Sequence, residues 1–182
     1  MPIDYPNFNA LSEQKQNVQT NQPIFAWTGM YVFLTESTGR VKTVRWPSLE
    51  VVNYVQVHTA ALFACDLTPN GDFLAVGGSD SLITLWDYKQ WFWKRSFSKM
   101  TGPVKTISVS FDSQYIVGGT DDGPGLEIAD VYTGEYVHSI NTGATTSAPV
   151  VQWSPRSYAL AYSVGEGNGA LKVIGSFDHK SG

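Results

Sequence analysis

Residues 76–90 read VGGSDSLITLWDYKQ, in which a short apolar strand turns at Ser-Asp-Ser and a second strand ends in Trp86-Asp87. The start of this stretch recurs. Leu-Ala-Val-Gly-Gly-Ser-Asp at 74–80 is matched by Tyr-Ile-Val-Gly-Gly-Thr-Asp at 115–121, a shift of 41 residues (74 to 115). Self-similarity at a fixed period of this size indicates an array of similar units and not a single hairpin.

The chain divides into four such units. Runs of five to eight residues typical of strands are separated by Gly, Pro, Asn or Asp, and no stretch shows helical periodicity beyond two turns, which predicts an all-β chain. An irregular segment, four units and a tail are predicted over 1–21, 22–57, 58–97, 103–140, 147–175 and 176–182. The predicted strands are 22–27, 30–35, 40–45 and 50–57; 61–67, 72–77, 81–86 and 91–97; 104–109, 114–119, 125–130 and 136–140; and 148–153, 158–163 and 169–174.

Four antiparallel strands in about 40 residues, with Trp-Asp ending the third strand, are typical of a blade of a WD-repeat β-propeller. The resemblance to WD-repeat proteins implies a hydrogen-bonded network of His58, Asp80 and Trp86, completed by a hydroxyl on the second strand, to which Ser79 is nearest. A buried indole N–H needs a partner, and a carboxylate can hold a histidine ring. The three residues are therefore predicted to be structural and not catalytic.

The other units lack this signature, and we expect them to rely on apolar packing. Gly39 and Arg45 replace the aspartate and the tryptophan in the first unit, and Ala129 replaces the tryptophan in the third. The fourth unit has three predicted strands, and neither 1–21 nor 176–182 has a pattern that would supply the missing one. The ring is therefore predicted to be incomplete. The chain would be either the C-terminal part of a larger propeller or a product that pairs with itself.

Several stretches carry a more specific likeness, and the clearest is Ile-Ala-Asp-Val-Tyr-Thr-Gly at 128–134, which departs from the Trp-Asp rule. The others lie at 32–35, 39–42, 74–87, 102–112 and 171–175. Through them the chain resembles the THO complex subunit 3 family, especially its fungal members, over residues 22–175. This family is a WD-repeat part of the complex that couples transcription elongation to mRNA packaging and export.

The family resemblance implies the last four blades of a seven-bladed propeller. It also implies a nuclear, non-catalytic scaffold whose partners are other THO/TREX subunits, with only indirect RNA contact. The alternative is a generic WD-repeat adaptor, such as a ubiquitin-ligase substrate receptor. Direct RNA binding is a third and weaker hypothesis.

Composition excludes several classes of protein. The net charge of −4 and the pI near 5.2 argue against a self-sufficient binder of nucleic acid or of a membrane surface. Cys65 is the single cysteine, so no intrachain disulfide can form, and we expect it to be buried as a small apolar residue. No apolar run reaches the ~18–20 residues of a membrane span, and no signal peptide is evident, which predicts an intracellular soluble protein.

The sequence lacks the common motifs of catalysis and cofactor binding. His58, His138 and His179 do not have metal-ligand spacing, and the sequence contains no nucleophile elbow or phosphate-binding loop. The glycine-rich stretch 165–169 is predicted to be a hairpin turn. We therefore expect no enzymatic activity, no cofactor, no metal and no small-molecule ligand.

Two charge features suggest contacts with partners. The basic run Lys94, Arg95, Lys99 and Lys105 follows the aromatic residues 91–93, which would suit RNA, but strand alternation predicts that Trp91, Trp93 and Phe97 pack within a blade. The acids Asp112, Asp121, Asp122, Glu127, Asp130 and Glu135 lie in a stretch without Lys or Arg and could form an acidic edge for a basic partner protein. The candidate partner-binding residues are Lys105, Asp121 and Asp122.

Overall fold

A computed structural model describes residues 13–120, 122, 125–143, 149–164 and 170–175, and these residues form four antiparallel sheets in chain order. The prediction of an all-β array of propeller blades is confirmed, and the four described sheets do not close into a ring. The strands are β1 (Thr20–Phe25), β2 (Tyr31–Glu36), β3 (Arg40–Arg45) and β4 (Val51–Gln56); β5 (Leu62–Leu67), β6 (Leu74–Gly78), β7 (Ile83–Asp87) and β8 (Phe92–Phe97); β9 (Val104–Val109), β10 (Tyr115–Thr120), β11 (Gly125–Asp130) and β12 (Tyr136–Asn141); and β13 (Val151–Trp153), β14 (Ala159–Val164) and β15 (Ala170–Gly175).

The observed strand boundaries differ from the predicted ones mainly at the two ends. β1 begins at Thr20, within the segment that was predicted to be irregular, because Thr20 pairs with Glu36 of β2 and the Asn21 side chain donates to Leu62 O of the next sheet. β13 covers only Val151–Trp153. The predictions for 1–12, the hairpin turn at 165–169 and the tail at 176–182 fall outside the described residues.

The sheets stack face to face, and the core lies in the three seams between them. Successive residues of a strand point to opposite faces, so Val76 packs toward the first sheet and Ala75 toward the third. The buried side chains of the first seam include Phe33, Val41, Leu62, Leu74 and Val76; those of the second include Ala75, Leu85, Phe97, Val104 and Ile116; those of the third include Val117, Leu126, Val151 and Leu160.

The structural repeat between the second and third sheets is one residue longer than the sequence match. Leu74 pairs with Leu67 and Trp86, and the residue in the same place in the third sheet is Ile116, which pairs with Val109 and Ala129. The shift is thus 42 residues (74 to 116) in the first two strands, not 41. A slip of one residue turns every side chain to the other face of a strand, so the two Val-Gly-Gly motifs do not superpose.

This offset determines which neighbouring sheet each glycine faces. Gly77 faces the third sheet, where an added Cβ would lie 2.5 Å from Val104 Cγ1. Its counterpart is Gly119, where an added Cβ would clash with Thr106 Cγ2 and lie 3.1 Å from the oxygen of Pro149, just before the fourth sheet. Gly118 faces backward, against Ile83 of the second sheet and Met100, which follows that sheet. Small residues at these positions let neighbouring blades approach closely.

Side chains connect the first strands of neighbouring sheets, which share no backbone ladder among the described residues. In the first seam, the Gln22 amide donates to Cys65 O at 3.1 Å and accepts from Cys65 N at 2.9 Å. In the second, Asp66 Oδ2 accepts from Val109 N at 2.8 Å. In the third, Trp153 N donates to the Ser108 hydroxyl oxygen at 3.0 Å.

Candidate interaction surface

A buried chain of hydrogen bonds links His58, Asp80 and Trp86 in the second blade. His58 Nδ1 lies 2.9 Å from the Asp80 carboxylate, and His58 Nε2 lies 2.7 Å from Thr84 Oγ1. Trp86 Nε1 donates to the same hydroxyl at 2.9 Å. A hydroxyl that accepts from Trp86 can still donate its hydrogen to His58 Nε2, which leaves Nδ1–H to donate to Asp80. All of these partners lie within the blade.

The hydroxyl of this network was predicted on the wrong strand. Thr84 lies on β7, the third strand of the blade, two residues before Trp86, so both side chains point to the same face. Ser79, the predicted member, follows the end of β6, and its N–H donates to Ala61 O at 2.8 Å. Gly78 is needed beside the network, because an added Cβ would lie 2.8 Å from His58 Nδ1 and 2.9 Å from Asp80 Oδ1.

The third blade places a buried carboxylate where the second has Thr84. Thr84 pairs with Val76, and the corresponding residue opposite Gly118 is Glu127, which is 4% exposed. Its Oε2 accepts from Lys99 Nζ at 3.0 Å and from Ser139 Oγ at 2.6 Å.

In the first blade the same position is Lys42, opposite Leu34 and 5% exposed. Its ammonium donates to Gln14 Oε1 at 3.1 Å and to Gln16 Oε1 at 2.8 Å. The expectation that these blades depend on apolar packing alone is therefore wrong, because each keeps a partnered polar group at this position.

Lys105 and Asp122 lie at one edge of the third blade. We call this edge the Lys105 face, and it is the edge where β5 and β9 begin and β6 and β10 end. Lys105 is exposed, and its ammonium sits 3.4 Å from the centroid of the Phe63 ring. Asp122 is exposed, and its carbonyl oxygen accepts from the Thr101 hydroxyl at 3.0 Å. Asp121, the third candidate, lies outside the described residues.

Two other residues of the basic run, Arg95 and Lys99, are engaged within the chain, while Lys94 is exposed. The guanidinium of Arg95 donates to the carbonyl oxygens of Tyr132 and Thr133 at 2.7 Å each, and Lys99 pairs with Glu127.

The predicted packing of the aromatic residues is correct for Phe97, which is buried in the second seam, and for Trp91, whose ring meets Phe33 edge-on at 5.8 Å. Trp93 is 58% exposed, because a bulge opposite Leu85 and Trp86 interrupts the alternation of β8.

The acids of the third blade do not form one edge. Glu127 is buried, Asp122 lies on the Lys105 face, and Asp112 and Asp130 lie at the turns of the opposite edge. Partial burial raises the pKa of Asp112, but hydrogen bonds from the Ser110 and Tyr158 hydroxyls outweigh it and hold the pKa below its ordinary value. The carboxylates of Asp112 and Asp130 accept hydrogen bonds within their own turns.

Burial changes the acid–base behaviour of two adjacent residues on β5. It raises the pKa of the Cys65 thiol to about 12, with a smaller contribution from the Asp66 charge, so the thiol stays protonated. Burial also raises the pKa of Asp66 to about 6, although the Val109 and Leu67 N–H groups donate to its carboxylate and oppose the shift. Sequence reasoning did not single out Asp66.

Asp66 should make the stability of the chain depend on pH. Because its pKa is higher in the folded chain than in the unfolded one, its contribution is fully present below about pH 4 and is lost as the pH rises through about 6. We therefore expect Asp66→Asn to be more destabilising at pH 4 than at pH 7.5, by about 2 kcal/mol. Urea unfolding of both proteins at the two pH values measures this difference. An equal effect at both values would contradict the raised pKa.

Among the described residues, no group of three or more His, Cys, Asp or Glu side chains could hold a metal ion. The same residues contain no helix with the length and apolar character needed to cross a membrane.

Comparison with known proteins agrees with this architecture. Residues 49–87 match the family model described as WD domain, G-beta repeat. The chain is similar in structure to the β-propeller domain of Cps50 (Swd1) from Myceliophteria thermophila, with a TM-score of 0.76 and 16% identity over 88% of this chain and 55% of that one. At this identity the likeness supports the fold alone, a β-propeller.

Sequence comparison adds two curated relatives. The chain is 34% identical to THO complex subunit 3 of Arabidopsis thaliana over 161 residues, which cover 88% of this chain and 50% of the relative. It is 28% identical to WD repeat-containing protein AAC3 of Dictyostelium discoideum over 88% of this chain and 34% of that protein. The predicted resemblance to THO complex subunit 3 is confirmed. The chain spans 50% of the length of that relative and 34% of the length of the other.

Proposed function

We propose that this chain, as a relative of THO complex subunit 3, is a non-catalytic WD-repeat scaffold of the THO complex. It would hold other subunits together through protein–protein contacts during transcription-coupled mRNP assembly and nuclear mRNA export. The observation that carries the proposal is the 34% identity over 88% of the chain. The proposal includes nuclear localisation, membership of the TREX assembly and contact with RNA only through partner proteins.

Affinity purification of the tagged chain from cells of its source tests this proposal. We expect other THO subunits to co-purify at physiological salt. Recovery of a cullin or its adaptor instead would favour a ubiquitin-ligase receptor. Direct RNA binding by the purified chain, with affinity falling steeply as salt rises, would favour an RNA-binding protein.

The proposed contact surface is the Lys105 face, with Lys105 and Asp122 as the residues that meet a partner. We expect the double variant Lys105→Glu/Asp122→Lys to lower the recovery of THO subunits about tenfold, since charges of the wrong sign at an interface oppose binding.

The matched control is Lys94→Glu/Glu135→Lys, which makes the same charge changes at exposed residues of the outer strands and turns. It should leave recovery unchanged. Equal recovery with both double variants would show that the Lys105 face is not the contact. Urea unfolding of each variant separates a lost contact from a lost fold.

A further inference from the structure

The first and second blades enclose a cleft of about 320 Å³ that the proposed function leaves unused. It opens between strands β2 to β4 and the turn from β7 to β8, on the edge opposite the Lys105 face. Its walls are aromatic. The ring of Phe33 lies 5.2 Å from that of Tyr88 and 5.8 Å from that of Trp91, edge-on in both cases. The Tyr88 hydroxyl donates to Gly71 O at 2.9 Å, which fixes that wall.

Two polar side chains line the cleft beside these rings. Phe33 pairs with Thr43, and Thr43 pairs with Asn53, so the three side chains share the face of the first blade that looks toward the second. Thr43 is 5% exposed. Thr43 Oγ1 and Asn53 Oδ1 are buried, and neither has a hydrogen-bond partner among the described residues. Buried polar atoms are nearly always partnered, so this pair points to a ligand.

The chemistry of the cleft selects among the side chains that a partner protein could insert. An aliphatic side chain would leave both oxygens without partners. A cationic side chain would lose water without gaining a carboxylate, because no acid lines the cleft. A tryptophan could donate once but not accept. A tyrosine hydroxyl can donate to Asn53 Oδ1 and accept from the Thr43 hydroxyl, while its ring packs edge-on against the aromatic walls.

We infer that this cleft is a docking site for a tyrosine side chain on a segment of a partner protein. The inference deepens the proposed function, since it assumes that the partners are proteins, but it does not depend on which complex the chain joins. Lys89 also lines the cleft, and its largely exposed ammonium lies 3.5 Å from the Asp72 carboxylate. An ammonium has three donors, so an acidic residue next to the tyrosine could share it.

Titration with p-cresol, the side chain of tyrosine, tests the site without a known partner. Two-dimensional NMR of the ¹⁵N-labelled chain should show p-cresol perturbing the amides of Phe33, Thr43 and Trp91. Toluene, which lacks the hydroxyl, should bind about tenfold more weakly. Equal binding of the two probes, or no binding by either, would overturn the inference and would fit water molecules at the two oxygens.

Variants at Thr43 provide the matched control. Thr43→Val keeps the shape and removes the hydroxyl, so the chain should still fold while the preference for p-cresol over toluene falls. Thr43→Ser should keep the preference. Tighter binding of uridine or adenosine than of p-cresol would overturn the inference in favour of an RNA base. Because these titrations involve no THO subunit, their outcome is independent of the co-purification experiment.

Discussion

Replacing Thr84 with valine should destabilise the chain by about 3 kcal/mol, because the buried His58 and the partly buried Trp86 lose their common partner. His58 Nε2 and Trp86 Nε1 both bond to the Thr84 hydroxyl, at 2.7 and 2.9 Å. Valine has nearly the same shape as threonine and can neither accept from the indole nor donate to the imidazole. Urea unfolding followed by tryptophan fluorescence measures the loss as a lower midpoint with an unchanged slope.

Serine at the same position is the matched control. It keeps the hydroxyl and removes only a methyl group, so we expect a loss of about 1 kcal/mol. If valine and serine were equally destabilising, the hydroxyl would contribute little, and the network would be a consequence of packing and not a source of stability. His58→Ala alone would not make this distinction, since it also creates a cavity.

In the third blade, Lys99→Met should destabilise the chain by about 3 kcal/mol, since it leaves the buried carboxylate of Glu127 without its counter-charge. Methionine preserves the apolar stem of lysine, and the side chain of Glu127 is only 3% exposed. The exposed half of Lys99 keeps the effect at the lower end of the range for buried ion pairs. The Ser139 hydroxyl would remain as a hydrogen-bond donor to the carboxylate.

A second substitution tests the cause of this loss. Adding Glu127→Gln to Lys99→Met removes the unpaired charge, and we expect most of the stability to return. The four proteins of this double-mutant cycle, compared by urea unfolding, give the coupling energy of the pair. Independent, additive effects of the two substitutions would show that the ion pair does not contribute.

The architecture could be predicted because its signals are local. Ser-Asp-Ser and Asn-Gly turns separate the strands, and the single Trp-Asp ending identifies the kind of blade. The structural position of Thr84 could also have been found, since residues two apart on a strand share a face. The sequence repeats at 41 residues, in contrast, whereas the strand pairing repeats at 42. Identical residues in two strands do not show which face of the sheet each side chain occupies.

Other features depend on contacts between distant residues and left no local signal. Lys99 and Glu127 are 28 residues apart and pair only because the third blade brings them together. The bulge in β8 that exposes Trp93 follows from its pairing with β7. The cleft beside Thr43 and Asn53 exists only where two blades meet. Each of these features arises only from the packing of the folded chain.

The side-chain hydrogen bonds between first strands imply that each blade is specific for its neighbour. One seam uses an amide that both donates and accepts at Cys65, the next a carboxylate that accepts from Val109 N, and the third a hydroxyl that accepts from Trp153 N. Each junction thus has a different pattern of hydrogen-bond donors and acceptors. A blade moved to another position in the stack could still pack its apolar faces. Its first strand, however, would lack the donor or acceptor that the new neighbour requires.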